Sequence, residues 1–322
     1  MSARIVALVS AAACIALVLA QDAVPTWSGF HTWQYATVLV LLGVTLTAYA
    51  LEARAGRDGD VGTKLVVALI GALVVGAAGL ASGLLGPDSQ TIVRAPGTVA
   101  PLPDAGIAAF FGNADAATIE RGDARVVLRQ KNGVSLELGP GERRFIGTAA
   151  FELHPALAAF IEARDERGRH LTVTQPTNAA FLSPILLFPG SVPVAGRTLP
   201  SDEFATPAVQ RQIKAFFFSR SATAAARAHG LAGKEAILFA VDDSQGRMVQ
   251  GGIGFAESGS AVNLGGLSLR ATIGTYPALV VSAVPYPPAL WLGLVTFVAG
   301  LGFAFAPSGP GLSKARPSQS KA

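Results

Sequence analysis

The amino-acid sequence predicts a membrane protein with four transmembrane helices, three N-terminal and one C-terminal, and a mainly β extracytoplasmic domain inserted between the third and the fourth. Four apolar stretches, Ile5–Ala20, Tyr35–Leu51, Leu65–Gly86 and Ala289–Ala306, divide three to one around a segment of roughly 200 residues. The last three are 17 to 22 residues long and carry no charge, enough helix at about 1.5 Å per residue to cross a hydrocarbon core of about 30 Å. The basic residues beside the stretches alternate in place. Arg4 precedes the first, Arg54, Arg57 and Lys64 separate the second and third, and Lys314, Arg316 and Lys321 follow the fourth. These positions belong to the cytoplasmic side, and the opposite ends, free of Lys and Arg, carry all three tryptophans, Trp27, Trp33 and Trp291, as an aromatic belt.

In chain order, residues 1–86 form the N-terminal membrane region. Its first stretch is either a retained span or a cleavable signal peptide, because Met1–Arg4, an apolar core and Val18-Leu19-Ala20 before Gln21 satisfy both descriptions. The single cysteine, Cys14, lies here, so the outer domain can form no internal disulfide and holds no CxxC or CxxCH motif. On the third stretch Gly79 and Gly83 make a GxxxG, and Gly76, Ala72 and Ala68 continue the small residues. Gly293 and Gly300 do the same on the fourth. A second helix can approach closely at such faces.

Residues 87–287 are the β-rich domain. Ala124–Gln130 and Val134–Leu138 flank Lys131-Asn132-Gly133, and Asn-Gly supplies the positive φ angles of a tight hairpin. Ala158–Arg164 and His170–Thr174 form a second pair about the charged turn Asp165–Gly168. Further strands are expected at Arg144–Thr148, Phe151–His154, Ile185–Phe188, Ala236–Val241, Arg247–Gly251, Gly265–Ile273 and Ala278–Ala283. Short strands at this spacing predict an antiparallel sandwich or barrel. One helix is expected from Pro207, where Val209, Ile213, Phe216 and Phe217 recur at near-helical spacing and Gly230 supplies an end signal. Residues 288–306 are the fourth span, and 307–322, without an acidic residue, read as a disordered cytoplasmic tail near anionic lipid.

The net charge of +4 and pI near 9.5 come partly from the positive ends of the spans, and no segment interleaves clustered basic residues with aromatics as a nucleic-acid groove requires. Motifs for hydrolysis, zinc proteolysis and phosphate binding are missing, so a non-catalytic subunit is expected. Asp242-Asp243 before Ser244-Gln245-Gly246 has the composition of a solvated turn. Of the four histidines, His154, His170 and His229 have structural explanations at a strand end, a turn and a helix end. His31 stands at the outer mouth of the second span, between Trp27 and Trp33, where a neutral imidazole can bond to headgroups or ligate a metal or haem iron. No Asp, Glu, Lys or Arg lies inside a span, against an ion path built from this chain alone.

Gly274-Thr275-Tyr276-Pro277-Ala278-Leu279-Val280-Val281, Pro285–Pro288, Leu290-Trp291-Leu292-Gly293 and Ala299-Gly300-Leu301-Gly302-Phe303 together resemble the C-terminal region of the ResB family of System II cytochrome c biogenesis. His31-Thr32-Trp33 is similar to that family's His-Ser-Trp-Trp signature, with Gln34 in place of the second tryptophan, and the three-plus-one layout is the family's own. The resemblance implies a subunit of the bacterial cytoplasmic membrane that assists haem export and delivery to apocytochrome c beside a CcsA- or ResC-like polytopic partner. Haem b would be bound transiently, with His31 as ligand and Trp33 beside it. The other function consistent with these residues is a membrane-anchored β-domain for binding or assembly in an envelope complex unrelated to haem.

Overall fold

The structure is a computed structural model that describes residues 3–24, 27–54, 59–174, 184–194, 197–225 and 233–305. Arg57, residues 226–230 at the end of the helix expected up to Gly230, with His229 among them, and the tail with Lys314, Arg316 and Lys321 lie outside the described residues. The chain divides into two compact units: a helical one of residues 1–88, 147–149 and 283–322, and a β unit of 89–146 and 150–282.

The helical unit contains α1 (Ala3–Ala23), α2 (Trp33–Arg54), α3 (Gly59–Leu85) and, after the long insertion, the helix Pro287–Phe305. All four are long and apolar enough to cross a membrane. Three hydroxyls of α2 are satisfied within that helix: Thr37, Thr45 and Thr47 donate to the carbonyls of Trp33, Leu41 and Gly43, which suits a medium that offers no water. Ala7, Ala11 and Cys14 of α1 share a core with Leu42 and Tyr49 of α2 and Leu65, Ala68 and Leu69 of α3. At the end of α3, Ser82 donates to the carbonyls of Thr148 and Val284, and the Val284 N–H donates to the same Thr148 carbonyl at 2.8 Å.

In the β unit the chain makes β1 (Gln90–Ile92), β2 (Val99–Leu102), β3 (Ile107–Phe111), a short helix α4 (Ala116–Arg121), β4 (Val126–Gln130), β5 (Ser135–Leu138), β6 (Arg143–Ile146), β7 (Ala149–Asp165), β8 (His170–Leu171) and β9 (Ile185–Leu186). It continues with β10 (Gly190–Val194), β11 (Arg197–Thr206), β12 (Arg211–Phe218), a short helix α5 (Arg220–Ala225), β13 (Ala236–Asp242), β14 (Met248–Glu257), β15 (Ala261–Leu264) and β16 (Leu267–Ala283). The C-terminal helix is therefore α6. A seven-stranded sheet runs β1-β16-β7-β6, with β15 on β16 and both β8 and β9 on β7. A five-stranded sheet runs β10 to β14 in order, and a four-stranded one β2 to β5.

The core lies between the first two sheets, where Ile161, Ala163, Leu269 and Ala271 of one meet Phe204, Ile213, Phe239 and Val241 of the other. The small sheet is joined to β16 by Tyr276, whose hydroxyl donates to the Gly112 carbonyl at 3.0 Å and whose ring stacks on Phe111. Burial in this contact raises the Tyr276 phenol above its ordinary value.

Two expectations need correction. The segment from Pro207 is not a long helix: Pro207–Val209 forms one 3-10 turn, Gln210 takes a positive φ of 51°, and Arg211–Phe218 is the strand β12. Its inward positions alternate as Ile213, Ala215 and Phe217, all packed in the core between the two large sheets, so a period of two overrides the near-helical spacing. The strands expected separately at Phe151–His154 and Ala158–Arg164 are one 17-residue strand, β7, and those at Gly265–Ile273 and Ala278–Ala283 are likewise one, β16. The Asn-Gly hairpin is present as β4 and β5, with Gly133 at φ 86° and Asn132 Oδ1 accepting the Val134 N–H.

Two hairpin turns repeat one local pattern, Asp-x-x-Gly-Arg. In Asp165–Arg169 and again in Asp243–Arg247, one carboxylate oxygen accepts the N–H groups two and four residues ahead, and the other meets the arginine side chain. Gly168 and Gly246 provide the positive φ that closes each turn. The N–H of Arg169 holds the Asp165 carboxyl below its ordinary 3.8, and that of Arg247 does the same to Asp243. A depressed carboxyl stabilises the fold fully above the unfolded value and loses that contribution as pH falls through the folded value. We expect the amide protons of Arg169 and Arg247 to keep their exchange protection down to pH about 4 and to lose it, beyond the intrinsic pH trend, at lower pH. Asp165→Asn and Asp243→Asn should abolish that extra pH dependence.

Candidate functional site at the mouth of the helical bundle

The segment between α1 and α2 is held by buried side chains that the flanking helices supply. Gln21, in the last turn of α1, is only 1% exposed. Its carbonyl oxygen accepts the Gly29 N–H at 2.7 Å and its amide donates to the Trp27 carbonyl. Gly29 opens a 3-10 turn, Gly29–His31, and a Cβ there would fall 2.7 Å from the Trp27 ring, so the ring lies across bare backbone. Thr32 closes the turn by donating to the Gly29 carbonyl at 2.7 Å, and its hydroxyl receives the Tyr35 N–H at 3.4 Å, the position of a helix N-cap.

Two aromatic rings fasten this turn to α3. Phe30 and Tyr35 meet edge to face, centroids 5.1 Å apart, and the Tyr35 hydroxyl donates to the Gly76 carbonyl at 2.7 Å. Gly79 and Gly83 leave room for this: Cβ atoms there would run into the Tyr35 hydroxyl and the Phe30 carbonyl. At Gly76 an added Cβ would lie 2.5 Å from Cys14 Sγ and 2.6 Å from Leu39. On α6, Gly293 faces Val75 and Gly71 of α3, and Gly300 faces Ala68. The small-residue faces at which the sequence lets a second helix approach closely are filled by this chain's own helices and aromatic turn.

His31 emerges at the end of the turn with a side chain 24% exposed. Its Nδ1 lies 3.3 Å from Asp88 Oδ1, on the segment that follows α3. With Nδ1 engaged by a carboxylate, Nε2 is the nitrogen left for another ligand, and a carboxylate in that position strengthens imidazole as a donor. Trp33, the first residue of α2, is 73% exposed and points away from the buried cluster. Sequence reasoning found His31 and Trp33 but missed Asp88 and Gln21. Asp88 is the acidic residue of the Lys- and Arg-free segment Pro87–Gln90 and Gln21 an amide closing an apolar stretch, signals that single-residue reading does not connect to His31.

The other two histidines among the described residues have local roles. His154 Nε2 lies 3.1 Å from Glu152 Oε1, and His170 pairs with Arg164 across the β7 and β8 ladder. Asp242, read as part of a solvated turn, is instead buried at the end of β13 and accepts Lys214 Nζ at 3.0 Å, while Asp243 is in the turn. Among the described residues no three His, Cys, Asp or Glu side chains converge as a metal site would require. Comparisons with protein-family models, curated proteins and solved structures return no match.

Removing the Gln21 amide leaves the buried Gly29 N–H without its acceptor, at a cost of about 1–3 kcal/mol. Gln21→Leu in detergent-solubilised protein should lower the thermal unfolding midpoint and expose Trp27 to an aqueous fluorescence quencher. A variant as stable as the parent with unchanged quenching would show that the turn is held by other means.

Proposed function

We propose that the chain is a non-catalytic membrane subunit of a System II cytochrome c maturation complex. In this reading the β unit faces the extracytoplasmic side of a bacterial cytoplasmic membrane and the C-terminus lies in the cytoplasm. The observation that carries the proposal is the contact of His31 Nδ1 with Asp88 Oδ1 at 3.3 Å, next to a turn fastened by Gln21, Phe30 and Tyr35. An imidazole with one nitrogen on a carboxylate and the other free would be suited to hold haem iron. The donor set fits: His31 would be the iron ligand contributed by this chain, Trp33 offers an exposed aromatic face, and Asp88 fixes the ring.

Haem, when bound, is the group that becomes attached to apocytochrome c. This chain's residues orient the imidazole, keep Nδ1 hydrogen-bonded and hold the turn against α3. A CcsA- or ResC-like polytopic partner would complete the enclosure. The outward faces of α2 and α6, with Val40, Val44, Val295 and Val298 all more than 60% exposed, are open to such a partner or to lipid. A second reading, a membrane-anchored β-domain that assembles with an envelope complex unrelated to haem, is favoured by the half-exposed row Phe216, Leu238 and Phe255 across the outer face of the five-stranded sheet.

Purified with its membrane partner, the protein should show a haem absorption band that His31→Ala removes, and Asp88→Asn should weaken haem retention by about 10–100-fold. A band unchanged by His31→Ala, or a partner complex free of haem, selects the second reading. The orientation is tested separately: reporter fusions at Gly133 and Gly246 are expected to be active outside the cytoplasm, and cytoplasmic activity at either would overturn the assigned sidedness.

A further inference from the structure

In the seven-stranded sheet, β8, β7, β16 and β15 are successive neighbours, which sets the turn Asp165–Arg169 beside the turn Gly265-Gly266. The start of β12 comes alongside. A cleft there is lined by Glu166, Arg167, Arg169, Val209 and Arg211, and it continues over the turn ends past Arg164 and Asn263. Its charges do not cancel. Arg169 is taken up by Asp165 at 2.7 Å, whereas Arg164, Arg167 and Arg211 have no ion-pair partner among the described residues. Glu166 has none either, and its carboxylate lies over the bare backbone of the Gly265-Gly266 turn, where a Cβ on Gly266 would come within 2.9 Å of Oε1.

Arg167 and Arg211 line one recess and Arg164 the adjoining one, which shares Glu166 and the Gly265-Gly266 turn with it; unpaired guanidinium groups raise the local potential, and their planar N–H forks match the oxygens of carboxylate and phosphate groups in bidentate fashion. We propose that this cleft binds a small anion carrying two or more carboxylate or phosphate groups, held by Arg164, Arg167 and Arg211, with Glu166 opposing it. With Glu166 set against Arg164, Arg167 and Arg211 the cleft keeps an excess of two positive charges, which a single negative charge, screened at physiological salt within about 8 Å, does not balance. Ligands of higher charge are therefore selected. The site is independent of His31 and of any role in haem handling.

The test uses the full-length protein in detergent, titrated calorimetrically with citrate in one arm and pyrophosphate in the other. One saturable site is expected, with affinity falling steeply as salt is raised. Arg167→Ala combined with Arg211→Ala should weaken binding about tenfold or more, since charge-assisted bonds are lost. Glu166→Gln should tighten it several-fold by removing the opposing carboxylate, a gain that a merely structural role would not produce. Arg144→Ala, which disturbs an exposed pair with Glu142 elsewhere on the unit, should leave binding unchanged. Saturation by citrate alone identifies carboxylate as the ligand chemistry, and saturation by pyrophosphate alone identifies phosphate. The proposal is overturned if neither anion saturates the protein by about 10 mM at low salt, where screening is weakest, or if folded double-arginine and Glu166 variants bind as the parent does.

Discussion

The missing side chains on α3 determine how near everything else in the helical unit can come. Lipid tails are as apolar as leucine, so helices in a bilayer gain little from burying apolar surface against one another and depend on close packing and interhelical hydrogen bonds. On α3, Gly71 admits the backbone of α6, Gly76 admits Cys14 and Leu39, and Gly79 and Gly83 admit the Tyr35 hydroxyl and the Phe30 backbone. One helix therefore contacts each of the other three and the turn that carries His31. The hydrogen bond from Tyr35 to the Gly76 carbonyl exists only because no Cβ stands in the way.

Much of the helical unit is legible in the sequence because the signal is local and redundant. Length, lack of charge and flanking basic residues each mark the same stretches. In the β unit the legible parts are those with turn chemistry of their own, such as Lys131-Asn132-Gly133. Strands continue where the sequence suggests a break: Pro277 falls between the parts of β16 that pair with β15 and with β1, so no third strand on that side needs its N–H there. The segment Arg211–Phe218 fails for the opposite reason. Val209, Ile213 and Phe216 mimic a helix, and only the neighbouring strands β11 and β13 make alternation the better solution.

The histidine at the bundle mouth was accessible to sequence reading through its position between aromatic residues at a span boundary. Its environment was not, because Asp88 meets it from the segment after α3 and Gln21 holds its turn from the last turn of α1. Long-range pairs of this sort depend on how α1 and α3 terminate, which local propensities do not encode. The same holds for the arginine-lined cleft. The sequence shows a mixed-charge tip at Glu162–Arg169, but the repeated Asp-x-x-Gly-Arg pattern has to be seen folded before it is clear which arginines are already engaged and which are not.

The β unit is an insertion, entered after α3 and left before α6, with helices on both sides of it in the chain. A protease that nicks any one of its exposed turns cannot shed the module. Each fragment keeps a helix of its own, and the strands of both remain laced into common sheets. One cut is not enough to part the unit from the helices on both sides of it, so limited digestion of intact membranes should yield paired, membrane-retained fragments and little soluble product.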